Sequence, residues 1–179
     1  MALMMTVSCT YNNQKVELGF DLNNKVSAIG HYKKVEVVVV DTRENKDVIG
    51  EKKYSSEVTV KITPNQDIAN FLQQKLTHNL ISRGFQYGND KTLTLKIESL
   101  FYKANRSLIG TSEMGTSFKI IIKDNKNGSI FVKNYNISQN NKHFIMPLDS
   151  TVADAVNKFL QDAVQEIVAD DSFIENLIK

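Results

Sequence analysis

The sequence is poor in the residues on which covalent and metal chemistry depends. It has one cysteine, which excludes an internal disulfide framework and a four-cysteine zinc site. Its three histidines, His31, His78 and His143, are scattered, and none has a second histidine or an acid at metal-ligand spacing. The eight glycines form neither G-x-G-x-x-G nor G-x-x-x-x-G-K. We therefore expect no catalytic residue, no metal and no cofactor, and we predict that the protein is not an enzyme.

The sequence also lacks an excess of charge and a long apolar run. Its 22 Lys and Arg against 20 Asp and Glu leave a net charge of +2, too little to indicate a nucleic-acid partner. No stretch approaches the ~20 apolar residues of a membrane-spanning helix. With 41% hydrophobic and 23% charged residues, the composition is that of an ordinary globular protein. Two prolines and no internal repeat in 179 residues indicate one domain.

The first nine residues have the form of the end of a bacterial lipoprotein signal peptide. Met1 to Val7 are uncharged and mostly apolar, and the small residue Ser8 precedes Cys9. The run is shorter than the 7–15 apolar residues of a signal peptide and has no basic start. We interpret residues 1–8 as a remnant of such a signal and residues 9–33 as a lipidated cysteine with a polar tether. An incidental thiol at a frayed end is the alternative.

Residues 34–179 alternate between strand-like and helix-like patterns, which predicts a single α+β domain. The turn pair Asn127-Gly128 joins the last two strands as a hairpin. Alternating or β-branched apolar residues predict five main strands, near residues 35–40, 58–62, 93–101, 114–122 and 130–137. A shorter alternation, Val16 to Phe20, predicts a strand-like piece that joins the domain at its edge.

Two amphipathic helices and a short third one complete the pattern. The first opens at residues 63–66, with Thr63 as cap and Pro64 in the first position, and ends at Gly84. The second begins near Ser150, and Ser172 is the expected cap of the last short helix. The predicted fold is an α+β two-layer sandwich, with an antiparallel or mixed sheet of about five strands and two main helices on one face.

Two surfaces are candidates for binding. The charged loop of residues 41–57 follows a buried strand, so it can present Asp41 and Arg43 to a partner, with Gly50 near its middle. Alternatively, Asp41 and Arg43 fix the end of the strand by hydrogen bonds and the loop lysines only solvate it. The second candidate is the sheet face away from the helices, which the alternation predicts to carry Tyr102, Tyr135 or Ile121.

Several longer segments carry a family resemblance. They are VVVVDTR(x)6G at residues 37–50, DIANFLQQKLTHNLISRGF at 67–85, LTLKIESLFY at 93–102, SFKIIIKDNKNGSIFVKNYN at 117–136 and the C-terminal segment 151–179. From about residue 33 to its end, the chain resembles the YajG-type lipoproteins of Gram-negative bacteria. Members carry a signal that ends in a cysteine, so the resemblance implies lipid attachment at Cys9. In such lipoproteins, an aspartate directly after the cysteine would favour retention at the inner membrane. Thr10 is found there instead, which implies the periplasmic face of the outer membrane.

The resemblance implies a location more than an activity. We expect a non-enzymatic, lipid-anchored periplasmic lipoprotein that serves as a binding or accessory domain in the cell envelope. Its expected partners are the membrane, through Cys9, and an envelope protein, with no nucleic acid. The alternative is a carrier that holds a lipid or a cell-wall fragment between sheet and helices. A hydrolase would need a buried acid–base pair, which the sequence does not indicate. The oligomeric state stays open.

Overall fold

The structure is a computed structural model, and it describes residues 13–23, 29–106, 110–143 and 147–179. Cys9 and residues 1–8 lie outside the described residues. The described chain forms eight strands and three helices, in the order β1 Gln14–Val16, β2 Lys34–Asp41, β3 Gly50–Lys53, β4 Thr59–Pro64, α1 Ile68–Ser82, β5 Gln86–Tyr87, β6 Lys91–Asn105, β7 Gly110–Asp124, β8 Ile130–His143, α2 Asp149–Ala169 and α3 Asp171–Ile178.

The strands form one mixed sheet that is organised around β6. On one edge, β6 pairs antiparallel with β7 from end to end, and β8 continues on the far side of β7. On the other edge, β6 has two successive parallel partners, β2 along residues 91–97 and β3 along residues 102–105. Strands β4 and β1 extend the sheet beyond β3, and β5 extends it beyond β2. The sheet therefore forks at the middle of β6.

The α+β class is confirmed, but the sheet is larger than predicted. It has eight strands where about five were expected, so the simple two-layer sandwich does not describe the fork. The additional strands are short: β1 has three residues, β3 four and β5 two. The sequence of β3, GEKK, has no apolar alternation. Such strands are held by backbone pairing with a neighbour, and side-chain periodicity does not reveal them.

The helices and one face of the sheet share a continuous hydrophobic core. The apolar face predicted for the first helix is buried, and both α1 and α2 contribute to the same cluster as alternate residues of β2, β6 and β7. Among the contributors are Val35, Val37 and Val39 from β2, Ile68, Phe71, Leu72, Leu76 and Leu80 from α1, and Val152, Val156, Phe159, Leu160 and Ala163 from α2. Burial of these faces supplies the main favourable term in folding.

The ends of the helices differ from the sequence prediction. α1 begins at Ile68, because Asp67 Oδ1 accepts the Asn70 N–H at 2.7 Å, whereas Thr63 and Pro64 end β4. Asp170 caps α3 in place of Ser172, since its Oδ1 accepts the N–H groups of Ser172 and Phe173. An aspartate satisfies the orphan donors of a helix start as well as serine or threonine does. Gly84 ends α1 with a φ of 87°, the left-handed conformation that was predicted.

A β-irregularity in β6 reverses which side chains face the core. Leu93, Leu95 and Ile97 are buried, but the pairing with β7 shifts between Ile97 and Ser99, and beyond the shift Leu100, Tyr102 and Ala104 are buried. One extra residue moves every later side chain to the opposite face. Tyr102 is therefore only 2% exposed, and Tyr135 is 5% exposed. The prediction of an outward face that carries these tyrosines is wrong.

Residues 13–23 belong to the folded domain. β1 pairs in parallel with β4 at the edge of the sheet, the position predicted for the N-terminal piece, but the strand is Gln14–Val16 and residues 17–20 form no strand. Burial continues beyond the strand, because Val16, Leu18, Phe20 and Leu22 all join the core. The Gly19 N–H also donates to Asn157 Oδ1 of α2 at 2.8 Å. The polar tether expected over residues 9–33 therefore does not extend through residues 13–23.

Removing core side chains from α1 and α2 should destabilise the domain. Leu76 is 0% exposed and Phe159 is 3% exposed, whereas Ile81 on α1 is 52% exposed. We expect Leu76→Ala and Phe159→Ala each to lower the free energy of unfolding by about 2–5 kcal/mol, because each leaves a cavity. Urea denaturation measures this, with Ile81→Ala as the exposed control. Losses no larger than that of the control would contradict the assigned helix faces.

Candidate functional site

The loop predicted over residues 41–57 is interrupted by a strand, because Asp41 ends β2 and Gly50–Lys53 form β3. The loop before β3, residues 42–49, spans the fork in the sheet. Where β2 ends, the N–H and Oγ1 of Thr42 both donate to the carbonyl oxygen of Ile97, at 3.0 and 2.9 Å. At the other end, the Tyr102 N–H donates to the carbonyl oxygen of Ile49 at 3.0 Å. The two ends of the loop are thus hydrogen-bonded to β6 at positions five residues apart, Ile97 and Tyr102. The opposite edge of β6 is paired with β7, so both ends of the loop are held on a strand within the sheet.

A buried ion pair closes the loop. Arg43 donates from Nε to Asp41 Oδ1 at 2.9 Å and from Nη2 to Asp41 Oδ2 at 2.7 Å, and the two side chains are 5% and 7% exposed. The same guanidinium donates to the carbonyl oxygens of Lys46 and Val48, both at 3.0 Å. A buried charge is tolerated when it is paired and hydrogen-bonded in this way. The pair therefore turns the loop back towards β6.

Gly50 is required where the loop rejoins the sheet. A Cβ atom at this position would lie 1.9 Å from the carbonyl oxygen of Tyr102, far inside van der Waals contact. The preceding residue, Ile49, is 1% exposed and anchors the end of the loop in the core. The close approach of the β3 backbone to β6 therefore depends on glycine at this position.

The structure brings together Asp41 at the end of β2, Arg43 in the loop and Gly50 at the start of β3, and their own groups hold the loop in place. The ion pair and the glycine shape the loop, in agreement with the alternative that Asp41 and Arg43 fix the end of the strand. Glu44 and Asn45 project from the same loop and are exposed. Partner binding by the loop stays a prediction, and Glu44 and Asn45, with the exposed Lys46 and Asp47 beside them, are its accessible contact groups.

Beside the loop lies an open groove of about 500 Å³, within the size range of ligand sites. Val48, Ile49 and Leu100 supply part of its apolar lining. Its charged and polar lining comes from the loop, from β3 and β4, and from the middle of β6, namely Arg43, Glu44, Asn45, Glu51, Lys61, Glu98, Ser99 and Lys103. Because the guanidinium of Arg43 is compensated by Asp41, the groove offers acidic and basic groups in similar number.

Phe101 contributes an aromatic ring to the groove, which the alternation of residues does not predict. It shares the parity of Leu93 and Leu95, so the alternation predicts that it faces the core, but the shift in β6 turns it outward. Its ring lies over Gly115 of β7, where a Cβ would be 2.4 Å from the ring. Lys103 Nζ lies 5.5 Å from the centroid of the same ring. No sequence signal marks the shift, which is why Phe101 was not a candidate.

The groove supports binding by hydrogen bonds and apolar contact. Burial raises the pKa of the Tyr102 phenol, so this group, which lies on the core face of β6, stays neutral. In the part of the chain that the structure describes, no cluster of three or more His, Cys, Asp or Glu residues is arranged to hold a metal ion. Over the same residues, no helix combines the length and apolar character needed to span a bilayer.

Comparison with known proteins identifies sequence relatives. A family model described as "Uncharacterized lipoprotein" matches residues 21–178. The uncharacterized lipoprotein YajG of Escherichia coli K12 is 26% identical over 118 residues, which is 65% of this chain and 62% of that protein. The corresponding protein of E. coli O6:H1 gives the same values. The matched part thus spans less than two thirds of the length of these relatives.

A solved structure shares the fold. The crystal structure of protein XCC0632 from Xanthomonas campestris has a TM-score of 0.59 to this chain and covers 86% of it, with 91% of its own length aligned. The two sequences are only 8% identical. This likeness shows a common fold and carries no functional residue from one protein to the other.

Breaking the buried ion pair should destabilise the domain. Arg43→Ala leaves the Asp41 carboxylate buried without its partner, so we expect a loss of about 3–5 kcal/mol in the free energy of unfolding. The double variant Asp41→Leu/Arg43→Met removes both charges and should lose less. Thermal and urea denaturation of the two proteins measure the difference. An Arg43→Ala protein as stable as the wild type would show that the pair does not hold the loop.

Proposed function

The chain belongs to the family of uncharacterised lipoproteins whose model matches residues 21–178, and from this premise we propose that it is anchored in the cell envelope by acylation of Cys9. Cys9 is the one cysteine of the sequence, and a cysteine thiol is the group to which the lipid of a lipoprotein is attached. A single acyl chain gives only marginal membrane binding, whereas two or more hold a protein stably. Thr10 supports the periplasmic face of the outer membrane as the location.

We further propose that the anchored domain is a non-enzymatic binding subunit and that its partner, an envelope protein, contacts the groove at the fork of the sheet. The observation that carries this proposal is the construction of the groove. Its loop is fixed at both ends on β6 and closed by a buried ion pair, so Glu44, Asn45 and Phe101 are presented on a rigid frame. Preorganised surfaces of this kind bind at a lower entropic cost than mobile ones.

The packing of the core favours this role over a carrier of lipid or cell-wall fragments. Leu72, Leu76 and Leu95 are fully buried between the sheet and the helices, and Phe159 of α2 joins the same cluster. A ligand held between the two layers would have to displace these side chains. Native mass spectrometry of the protein isolated from its own host gives the direct comparison, since a carrier would retain a bound small molecule.

The anchor is tested with the native gene expressed in its own host. Wild-type and Cys9→Ser proteins are compared by membrane fractionation and by intact mass. We expect the wild type in the membrane fraction with a mass increment of acyl size, and the variant without either. Because serine has no thiol to acylate, the variant is the matched control. An unmodified wild type that does not sediment with membranes would refute lipid attachment at Cys9.

The groove is tested by site-specific photocrosslinking in cells. A photoreactive side chain at Glu44, on the exposed lip of the groove, should give a discrete adduct with one envelope protein. Phe101→Ala in the same chain should abolish this adduct, because it removes the aromatic surface of the groove next to Glu44. Tyr87→Ala, at the far end of the sheet, should leave the adduct unchanged. Adducts that persist in the Phe101→Ala background would place the contact elsewhere.

A further inference from the structure

We propose that the end of the sheet at which β1 begins lies against an anionic phospholipid surface and binds it through Lys53, Arg106 and Lys142. The inference rests on the proposed acylation of Cys9 and adds to it a defined orientation of the domain. It follows from three features: the short connection from Cys9 to the sheet, the direction in which the chain enters the sheet, and the charges at that end.

The connection between Cys9 and the folded domain is short. Gln14 is the first residue of β1, which is paired with β4, and its Nε2 donates to the carbonyl oxygen of Asp149 at 2.9 Å. Five residue steps separate Cys9 from Gln14, and a fully extended chain covers about 18 Å in five steps. An acyl group on Cys9 therefore holds Gln14 within about 18 Å of the membrane surface.

This gap is too narrow for another folded protein. A compact domain of 100 residues has a radius of gyration of about 13 Å, so its diameter exceeds the reach of the connection. A partner protein can therefore bind the sides or the far end of the anchored domain, but not the surface between β1 and the bilayer. The occupant that the geometry allows at this end is the lipid surface itself.

The register of the sheet shows which end faces the membrane. Gln14 lies opposite Ile62 of β4, and β4 runs in the same direction as β1 from its start at Thr59. Thr59 is in register with Lys53, and Lys53 with Asn105 at the end of β6. The chain thus enters β1 from the Asn105 end of β6. The Lys91 end lies fourteen residues away, about 46 Å along the strand.

Basic side chains cross the sheet at this end. Lys53 of β3 and Lys142 of β8 are the outer members of one row, Lys53–Asn105–Thr111–Lys142, which spans three strand spacings or about 14 Å. Arg106 follows Asn105 and donates its N–H to the carbonyl oxygen of Lys53 at 3.1 Å. All three basic side chains are exposed. Within the described residues, none of them forms an ion pair.

The acidic groups near this end are mostly matched. Asp149 binds Lys52 Nζ at 2.6 Å. Glu51 and Glu113 are both in register with Lys103. Because one lysine cannot neutralise both glutamates, one of them is left over together with Glu57, the exposed acid in the turn between β3 and β4. Three free basic groups therefore face two acids. Basic groups close to a bilayer are attracted to anionic lipid headgroups.

An apolar side chain adds to the same surface. Leu148, next to Asp149 at the start of α2, is 71% exposed. Since Asp149 contacts both Gln14 and Lys52, Leu148 is placed at the anchored end. Exposed apolar side chains beside basic ones are typical of surfaces that settle into the interfacial region of a bilayer.

The absence of tryptophan from the sequence allows a direct test. The purified full chain is coupled through the Cys9 thiol to a maleimide phospholipid in vesicles of phosphatidylcholine and phosphatidylglycerol that contain a brominated lipid. Tryptophan fluorescence is compared between Leu148→Trp and Tyr87→Trp, the latter at a site that is 75% exposed on β5, at the other end of the sheet. We expect several-fold stronger quenching in the Leu148→Trp protein.

Charge reversal separates specific contact from mere proximity. In the Leu148→Trp protein, Lys53→Glu/Arg106→Glu/Lys142→Glu should remove most of the quenching, whereas Lys34→Glu/Lys46→Glu/Lys123→Glu, at exposed sites elsewhere, should not. Circular dichroism checks that both triple variants are folded. Equal quenching of the two tryptophan proteins, or quenching that survives reversal of the three basic residues, would overturn the proposal. Because the anchor is attached chemically, the result does not depend on whether cells acylate Cys9.

Discussion

The fork in the sheet at the middle of β6 determines the path of the loop, the position of β3 and the attachment of β1. One edge of β6 has two partners, β2 up to Ile97 and β3 from Tyr102 onward, so the connecting loop must leave and rejoin the same strand within five residues. Such a tight path buries charged groups, and burial of charge is costly unless every group is paired. The bidentate bond between Asp41 and Arg43, with the two loop carbonyls that Arg43 also binds, meets this requirement.

The fork also decides how the N-terminal segment joins the domain. Because Gly50 allows β3 to approach β6 closely, β4 can pair with β3, and β1 can then pair with β4. Residues 14–16 are thereby fixed at the edge of the sheet, near the start of α2. The proposed anchor at Cys9 would therefore hold a rigid body close to the membrane. The groove lies beside the same fork and is lined in part by the loop and by β6.

The strongest periodic patterns predicted the fold correctly. The apolar face of α1, the stripe of α2 and the hairpin around Asn127-Gly128 are confirmed, because each depends on interactions between residues close in the sequence. The strand β3 was missed because it depends on long-range pairing: it is polar and is held by β6 and β4. The helix caps were missed for a local reason, since Asp67 and Asp170, rather than the expected Thr63 and Ser172, accept N–H groups in the first turns of α1 and α3.

The candidate site was only partly predictable. Asp41, Arg43 and Gly50 were identified because they follow a strongly apolar strand, although the structure uses their groups inside the loop. Phe101 and Tyr102 were assigned to the wrong faces, since one irregularity near Ser99 reverses the alternation and leaves no mark in the residue types. The alternation from Val16 to Phe20 predicted a piece at the edge of the domain, but not that burial continues to Leu22 in the core shared with the helices.

Neutron reflectometry tests the claim that a short connection holds the domain directly on the membrane. The full chain is coupled through Cys9 to a supported bilayer, and the protein density is measured along the bilayer normal. Protein density that begins at the lipid headgroups, without an intervening water layer, is the predicted result. A hydrated layer on the order of tens of ångströms, as a flexible tether over residues 10–33 would produce, would contradict the claim.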